Sequence, residues 1–340
     1  METIKILELF GGIGSPRVAL RNIGVPVKAI DYVEIDEKAV RSYNAMFKAE
    51  LEYKTQTVVG YNLKPDILIH GSPCQNFSIA GRQEGADEGS ETQSSLMWET
   101  IHIIQQMGEW KPIYVIWENV KNVRSKYMVK NHERYIKEMT DLGYVSSYEL
   151  LDARDFGLPQ ARQRYFTISV LGDTPFDFSD LIKTPMKPLS NYLENKVDDY
   201  YTITQPSVLQ DINGKSVKRL TVIKDFAYTI TCKPMRTPAQ GIDLGNGEYR
   251  YLTEKESWRL QGYSDEDYMA ALSVHPPKGK CLNGALYKQA GNSIPVPIFE
   301  SIFRKIILGE TTSTERQLNI FDYLGEKERV STIYKESADE

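Results

Sequence analysis

The first 170 residues of the chain alternate short apolar runs with helix-patterned segments, and this alternation limits the fold more than any other feature. "IKILELF", "KAIDYVEID", "KPDILIHG" and "KPIYVIWENV" read as strands. "EKAVRSYNAMF" and "SLMWETIHIIQQM" between them carry helical spacing, and Pro16 suits the first helical position after the turn "GGIG". Strand, helix, strand in this rhythm predicts an α/β fold built on a doubly wound, mostly parallel sheet. Such sheets bind ligands at the carboxyl ends of their strands. Near Gly172 the texture changes to short, polar, proline-punctuated segments, which predicts a smaller, partly β domain over residues 172–249. Helical patterns resume in "LTEKESWRLQGY" and "VPIFESIFRKII". Residues 250–309 are therefore expected to rejoin the first domain, residues 1–171, leaving 310–340 as a polar tail.

With 340 residues, 41% hydrophobic and 26% charged, the chain can bury a real core in one large or two modest domains. No apolar run approaches the roughly 20 residues that cross a bilayer. "METIKILELF" enters a strand with no signal peptide. Cys74, Cys232 and Cys281 are far apart and odd in number, and the histidines are equally scattered, so neither a disulfide framework nor a zinc site is indicated. The expectation is a cytoplasmic, monomeric protein with no metal and no membrane partner. A net charge of −5 argues against a polyanionic partner, but the charge is uneven. Lys215, Lys218, Arg219, Lys224, Lys233 and Arg236 face only Asp225, and Lys121, Arg124, Lys126, Lys130 and Arg134 include only Glu133. Local patches of this kind decide polyanion binding more than the total does, although each alone also suits a solvated face.

Five motifs carry chemistry. "GSPCQNFS" puts Cys74 after a proline, just past a strand, at the ligand-binding edge of the sheet. A free cysteine is more often a small buried hydrophobe than a nucleophile, so the neighbours must decide. "LELFGGIGSPRVAL" is strand, glycine turn and helix, where backbone N–H groups are free and close approach is allowed. Glu34, about 20 residues on at the end of the next strand, can accept hydrogen bonds from ribose hydroxyls. Together they indicate an adenosine-type cofactor without separating a dinucleotide from S-adenosylmethionine. "ENV" brings Glu118 to the same sheet edge, where a simple strand-end cap is the plainer reading. In "PQARQRYFTISV", alternation sends Arg162 and Arg164 to one face, with Gln160 before them, as converging cations or as a solvated edge. "QAGNSIPVP" sets Gly291, Asn292 and Ser293 in a turn before a helix, which capping alone would explain.

In this order and combination the motifs resemble the cytosine-5 DNA methyltransferase family. The resemblance runs through "LFGGIG", "VEID", "GSPCQNFS", "ENV", "QARQR", "RYLTEKESWRLQGY" and "YKQAGNSIPVPI", nearly all of residues 4–305. It implies an S-adenosylmethionine-dependent enzyme acting on double-stranded DNA. Residues 1–171 and 250–309 would form the catalytic and cofactor-binding domain, and 172–249 the target-recognition domain. The family pattern has the Cys74 thiolate add to carbon 6 of a flipped cytosine and Glu118 bond the N3 and amino edge. Arg162, with Arg164, would stabilise charge at the base carbonyl. For the cofactor the resemblance implies Phe10 and Ile35 on the adenine faces, and Gly11, Gly12, Ile13 and Gly14 at the backbone turn. Glu34 would take the ribose, with Asn292 and Ser293 near the methionine end and Pro73 completing the set. Gln75, Ser78, Thr229, Lys218, Arg219 and Lys233 are the implied DNA contacts, and Gly81, Gly85 and Gly89 punctuate a segment suited to closing as a lid.

The chain departs from the family twice. Ser15 and Pro16 follow Gly14 where a second glycine is common, and "VVGYNL" lacks the usual acidic residue near the adenine amino group. The tRNA-directed branch of the family carries a "CFT" signature that is absent here, Cys232 lying in "TITCKP". A nicotinamide oxidoreductase accounts for the glycine turn but not for Cys74 with "ENV" and "QARQR", and a dead DNA-binding relative has no need of Cys74, Glu118 and Arg162. In the tail, "QLNIF" forms an apolar island between charged flanks. The plainer reading docks Leu318, Ile320 and Phe321 on the protein's own large domain. The sharper one likens Gln317, Leu318 and Phe321 to the short sliding-clamp-binding peptide of bacterial replication proteins, a tether that would raise local enzyme concentration.

Overall fold

A computed structural model describes residues 3–48, 52–58, 64–71, 96–126, 128–209, 219–236, 239–312 and 319–324. Strands β1 (Ile4–Leu9), β2 (Val27–Val33), β3 (Ile67–His70), β4 (Tyr114–Val120) and β5 (Tyr144–Asp152) join one sheet with β7 (Gln163–Leu171), which follows the two-residue β6 (Gln160–Ala161). The order is β2-β1-β3-β4-β7-β5, with β7 antiparallel to both its neighbours and every other pair parallel. The chain moves outward from β1 to β2, then returns past β1 to β3. That reversal opens a crevice between the carboxyl ends of β1 and β3, where ligands of doubly wound sheets sit.

Helices cover both faces because successive strand residues point to opposite sides. Tyr114, Ile116, Phe166 and Ile168 face the core that holds Val18, Phe299 and Phe303. Val115 and Trp117 face the other, with Trp98, Ile101 and Tyr135. The helices are α1 (Ser15–Asn22), α2 (Glu37–Met46), α3 (Met97–Gln106), α4 (Val129–Asp141) and the short α5 (Pro206–Leu209). After these come α6 (Glu254–Arg259), α7 (Asp265–Val274), α8 (Gly284–Asn292) and α9 (Val296–Phe303). In α9, Ile298, Phe299, Ile302 and Phe303 are fully buried in the principal core.

Packing does not change at Gly172. Phe176, Leu181 and Leu189 still belong to the principal core, whereas Ile203, Val208, Ala239 and Tyr251 form a small core of their own. Around the latter, β8 (Leu220–Val222), β10 (Ala239–Asp243) and β11 (Tyr249–Arg250) make a three-stranded sheet, and β9 (Ala227–Tyr228) pairs with β6. Within the tail, Ile320 is fully buried in the principal core, and Tyr323 meets Tyr114 edge-on at 6.1 Å. Phe321, the aromatic anchor a clamp peptide needs, packs on the same core, while Gln317 and Leu318 lie outside the described residues. No helix among the described residues is long and apolar enough to cross a membrane.

One residue breaks the apolar logic of β1. Glu8 is 1% exposed, and neither carboxylate oxygen has a hydrogen-bond partner. Burial pushes its pKa up to about 8, with Arg17 pulling the other way. Around it lie the stacked rings of Tyr32 and Tyr43, 3.7 Å apart, and Arg17 donates to the Tyr43 hydroxyl at 2.8 Å. The folded chain thus keeps a proton on Glu8 that the unfolded chain releases near the ordinary 4.5. The stabilisation this represents is complete below that value and fades as pH rises toward 8, by up to about 1.4 kcal/mol per pH unit. Glu8→Gln is expected to flatten the fall in unfolding free energy across this window and to raise Tm at pH 8. An unchanged slope in denaturant titrations would remove Glu8 as its source. Ile320→Ala, emptying a fully buried site, is expected to cost about 2–4 kcal/mol in the same titrations; a loss under about 0.5 kcal/mol, as at an exposed site, would undock the tail.

Candidate active site

The glycine turn after β1 forms one wall of the crevice. Phe10 adopts φ 56°, the one non-glycine residue with positive φ among those described, and strain of this kind is concentrated at functional sites. Gly11 lies against Tyr32, whose ring a Cβ would approach to 2.6 Å, so no side chain fits. A Cβ on Gly12 would meet nothing within 4 Å, which leaves the turn open on its outer side. The turn is pinned to the end of β2: Gly12 N–H donates to Glu34 Oε2 at 2.9 Å, and the Tyr32 hydroxyl donates to the Gly12 carbonyl. Glu34 Oε1 accepts the Ile35 and Asp36 N–H groups, both at 2.8 Å. Glu34 Oε2, which accepts one N–H, keeps a further acceptor site for a hydroxyl. Ile35 is 77% exposed beside it, an apolar face with nothing covering it. An open backbone cradle, a hydroxyl acceptor and a bare apolar side chain together fit the adenosine end of S-adenosylmethionine.

The other wall is the end of β4. Glu118 meets Arg164 of β7 at 3.1 Å, and both side chains are nearly buried, 12% and 13% exposed. Burial raises the Glu118 pKa, and the charges of Arg164 and then Arg162 pull it back without cancelling the rise. Gly71, which follows β3, sits so close that a Cβ there would lie 3.8 Å from Glu118 Oε2. Pro73, Cys74, Gln75 and Ser78 lie outside the described residues, as do Gly81, Gly85, Gly89 and Lys218. Beside the Glu118–Arg164 pair opens a cleft of about 390 Å³, lined by Lys121, Arg154, Gln163, Arg164 and Thr229 among others.

The two arginines do not share one environment, as simple alternation predicted. Arg162 falls in the break between β6 and β7, so strand alternation does not govern it. It is 2% exposed, and its guanidinium donates to the carbonyls of Ile230 (3.0 Å), Gly291 (2.9 Å) and Ser293 (2.7 Å). Buried Gln160 works alongside, donating to the Leu260 carbonyl at 2.7 Å and accepting the Ile230 N–H at 3.0 Å. Ser293 is turned inward, 4% exposed, its hydroxyl bonded to those of Ser15 and Tyr263. Asn292 faces outward and accepts the Cys232 thiol at 2.9 Å. Thr229 borders the cleft and donates to the Ala161 carbonyl at 2.9 Å. Lys233 is exposed and Arg219 partly so. Sequence reasoning missed Arg154, Ser15 and Tyr263 as members of the site. Tyr263 stood inside a recognised motif, but nothing in its spacing marked its hydroxyl.

An α/β sheet with a glycine turn at its switch point and a buried acid–arginine pair opposite suits an enzyme with an adenosine-type cofactor. The model of the C-5 cytosine-specific DNA methylase family matches residues 4–232 and 231–308. The type II methyltransferase M2.ScrFI of Lactococcus lactis subsp. cremoris is 30% identical, over 89% of this chain and 99% of its own. The type II methyltransferase M.NlaX of Neisseria lactamica is 28% identical, over 92% and 99%. Among solved structures, S. pombe Dnmt2 methyltransferase superposes with a TM-score of 0.69 at 20% identity, covering 88% of this chain and 97% of its own, a likeness of fold. The chain belongs to the C-5 cytosine-specific DNA methylase family and is an S-adenosylmethionine-dependent DNA methyltransferase.

Gly291 in α8 lies tight against the backbone at Thr231 and Cys232. A Cβ there would lie 2.4 Å from the Cys232 nitrogen and 2.6 Å from the Thr231 carbonyl carbon, both backbone atoms that cannot rotate away. Gly291→Ala is expected to cost about 1–3 kcal/mol through forced backbone movement. Thermal unfolding of that variant, read beside Gly284→Ala where a Cβ meets nothing within 4 Å, isolates the contact. Equal Tm values for the two would show that the approach is not close in solution.

Proposed function

We propose that the protein methylates carbon 5 of a cytosine flipped out of duplex DNA, through a covalent adduct of Cys74. The observation that carries this reading is Glu118, raised in pKa by burial, 3.1 Å from Arg164 and beside Gly71, the last described residue of its segment. Cys74 follows Gly71 by three residues, a reach of at most about 11 Å, so a thiol and a proton-holding carboxyl can meet the same ring. Cytosine carbon 5 is a poor nucleophile. Addition of the Cys74 thiolate to carbon 6 moves electron density to carbon 5, and only the thiolate is competent. Glu118, holding its proton, donates to N3 and damps the charge that develops there. Arg164, paired with Glu118 at the cleft, lies nearest the base carbonyl, with Arg162 acting from behind as organiser and as a second positive charge. When bound, S-adenosylmethionine supplies an electrophilic methyl group. Loss of the carbon-5 proton and elimination of Cys74 then restore the ring. Base flipping brings carbon 6 within reach of the thiol.

On this reading Phe10, Gly11, Gly12, Ile13, Gly14, Glu34, Ile35, Pro73 and Asn292 seat the cofactor, with Glu34 on the ribose. Ser293 supports that seat from beneath, since its hydroxyl is committed elsewhere. The region within residues 172–249 reads the DNA. Thr229, Lys121 and Arg154 border the cleft next to Glu118, where a phosphate flanking the flipped base would lie, and Gln75, Ser78, Lys218, Arg219 and Lys233 extend the contact.

The reading is tested with tritiated S-adenosylmethionine and unmethylated duplex DNA. Cys74→Ser is expected to lose turnover by more than about 1,000-fold, because a neutral hydroxyl replaces a thiolate nucleophile. Duplex DNA carrying 5-fluorocytosine is expected to trap the wild type as a denaturation-resistant adduct, since fluorine cannot leave as a proton does. A comparable adduct formed by Cys74→Ala would reassign the nucleophile.

A further inference from the structure

Ser15 occupies the position after Gly14, at the start of α1, where the family commonly has glycine. Its hydroxyl closes a ring with two others from distant parts of the chain. Ser15 Oγ lies 2.7 Å from Tyr263 Oη and 2.9 Å from Ser293 Oγ, and Tyr263 Oη lies 2.7 Å from Ser293 Oγ. All three residues are buried, at 4%, 3% and 4% exposure. Three hydroxyls carry three protons, so a closed ring lets each donate once and accept once, and each bond polarises the next. The Ile294 N–H also donates to Ser15 Oγ at 3.3 Å. Burial pushes the Tyr263 phenol well above its ordinary range, which keeps that proton in place.

The ring does not end on itself. The Ser293 carbonyl accepts the shortest of the three Arg162 hydrogen bonds, 2.7 Å, and the same guanidinium holds the Ile230 carbonyl at 3.0 Å. Ile230 adjoins Thr229 at the cleft, and Arg162 contributes to the charge that Glu118 experiences. Covalent bonds and buried hydrogen bonds thus run from the glycine turn through Ser15, Ser293 and Arg162 to the recognition segment. We propose that the Ser15–Tyr263–Ser293 ring is a positioning device that fixes Arg162, and with it the Thr229–Ile230 segment, relative to the cofactor turn. The proposal rests on the reading of the turn as the cofactor seat and of the Glu118 cleft as the base site. Methyl transfer joins an atom held from one wall to an atom held from the other. An error of 1 Å between the walls costs rate without costing binding at either.

Tyr263→Phe deletes one oxygen and keeps the ring that packs against Trp258 at 5.1 Å, so it leaves the core intact. Ser15→Ala is the second variant. Each is expected to lower kcat at saturating DNA by about ten-fold, while KM for DNA and the Kd for S-adenosylhomocysteine stay within about two-fold, the pattern of an interaction felt only in the transition state. A readout that needs no turnover is the factor by which sheared, unmethylated bacterial DNA tightens S-adenosylhomocysteine binding. That factor is expected to be about five-fold or more in the wild type and to fall close to one in Tyr263→Phe, since coupling between sites is reciprocal. Variants with unchanged kcat and unchanged coupling overturn the proposal. So does a loss that appears wholly in the S-adenosylhomocysteine Kd, which would confine the ring to the turn. Arg162→Lys separates the two levels: wild-type kcat there removes Arg162 from the reaction, and the ring with it. A wild type that transfers no methyl to duplex DNA but shows the coupling, lost in Tyr263→Phe, would fail the function reading and keep the ring.

Discussion

Arg162 is the residue on which the arrangement of the site depends. Its guanidinium presents N–H donors in a fixed plane, and Nη1 and Nη2 make three hydrogen bonds to carbonyls from segments far apart in sequence, at Ile230, Gly291 and Ser293. A guanidinium at 2% exposure is tolerable only where such acceptors converge, because an unsolvated cation without them costs several kcal/mol. The converse also holds. The Gly291 carbonyl lies in the last turn of α8, where no intrahelical donor remains, and those of Ile230 and Ser293 lie in irregular backbone; a buried carbonyl left alone is costly. Cation and loops therefore stabilise one another, and neither keeps its place without the other. Lysine, with one compact ammonium, cannot reach three acceptors spread across a plane.

Around that hub the sheet does the coarse positioning. Because the chain reverses direction between β1 and β3, the glycine turn and Gly71 emerge side by side. Register then places Glu118 opposite Phe166 on the antiparallel β7, with Arg164 two residues further along β7 toward the cleft. The antiparallel pairing matters: it brings the beginning of β7, where the arginines are, to the end of β4, where the acid is. A parallel strand in that position would carry the arginines to the far end of the sheet.

Much of this was legible beforehand. Apolar runs ending in Phe10, Glu34, Gly71 and Glu118 fixed four strands and their ligand-binding edge, since periodicity and turn residues are local signals. The departure of Arg162 from Arg164 was not legible. Strand alternation holds only inside a strand, and the break at Arg162 between β6 and β7 is set by tertiary partners, Ala227 and Tyr228 on one side and β4 and β5 on the other. The packing of the segment after Gly172 was not legible for a similar reason. Polar, proline-punctuated texture describes the loop between 172 and 193, but Phe176, Leu181 and Leu189 within it are spaced irregularly and still reach the main core. Ser15 looked like a defect in a glycine turn. Its meaning lay in Tyr263 and Ser293, roughly 250 residues away, and no local pattern encodes that contact.

Two carboxyls near the crevice, Glu8 and Glu118, are both raised by burial, and the difference between them separates structure from chemistry. Glu8 has no hydrogen-bond partner, is 1% exposed, and sits behind Tyr32 and Tyr43. Its proton has no route to a ligand, so its neutrality only spares the fold a buried charge. Glu118 is 12% exposed and faces a cation at 3.1 Å, so burial and Arg164 act on it in opposite directions. A carboxyl in direct contact with a cation changes its protonation at a smaller cost than a buried one with no hydrogen-bond partner. On Glu8 the charge of Arg17 opposes burial without a hydrogen bond to the carboxyl, whereas on Glu118 the opposing cation is in direct contact. The direct pairing with Arg164 is therefore what distinguishes Glu118 from Glu8.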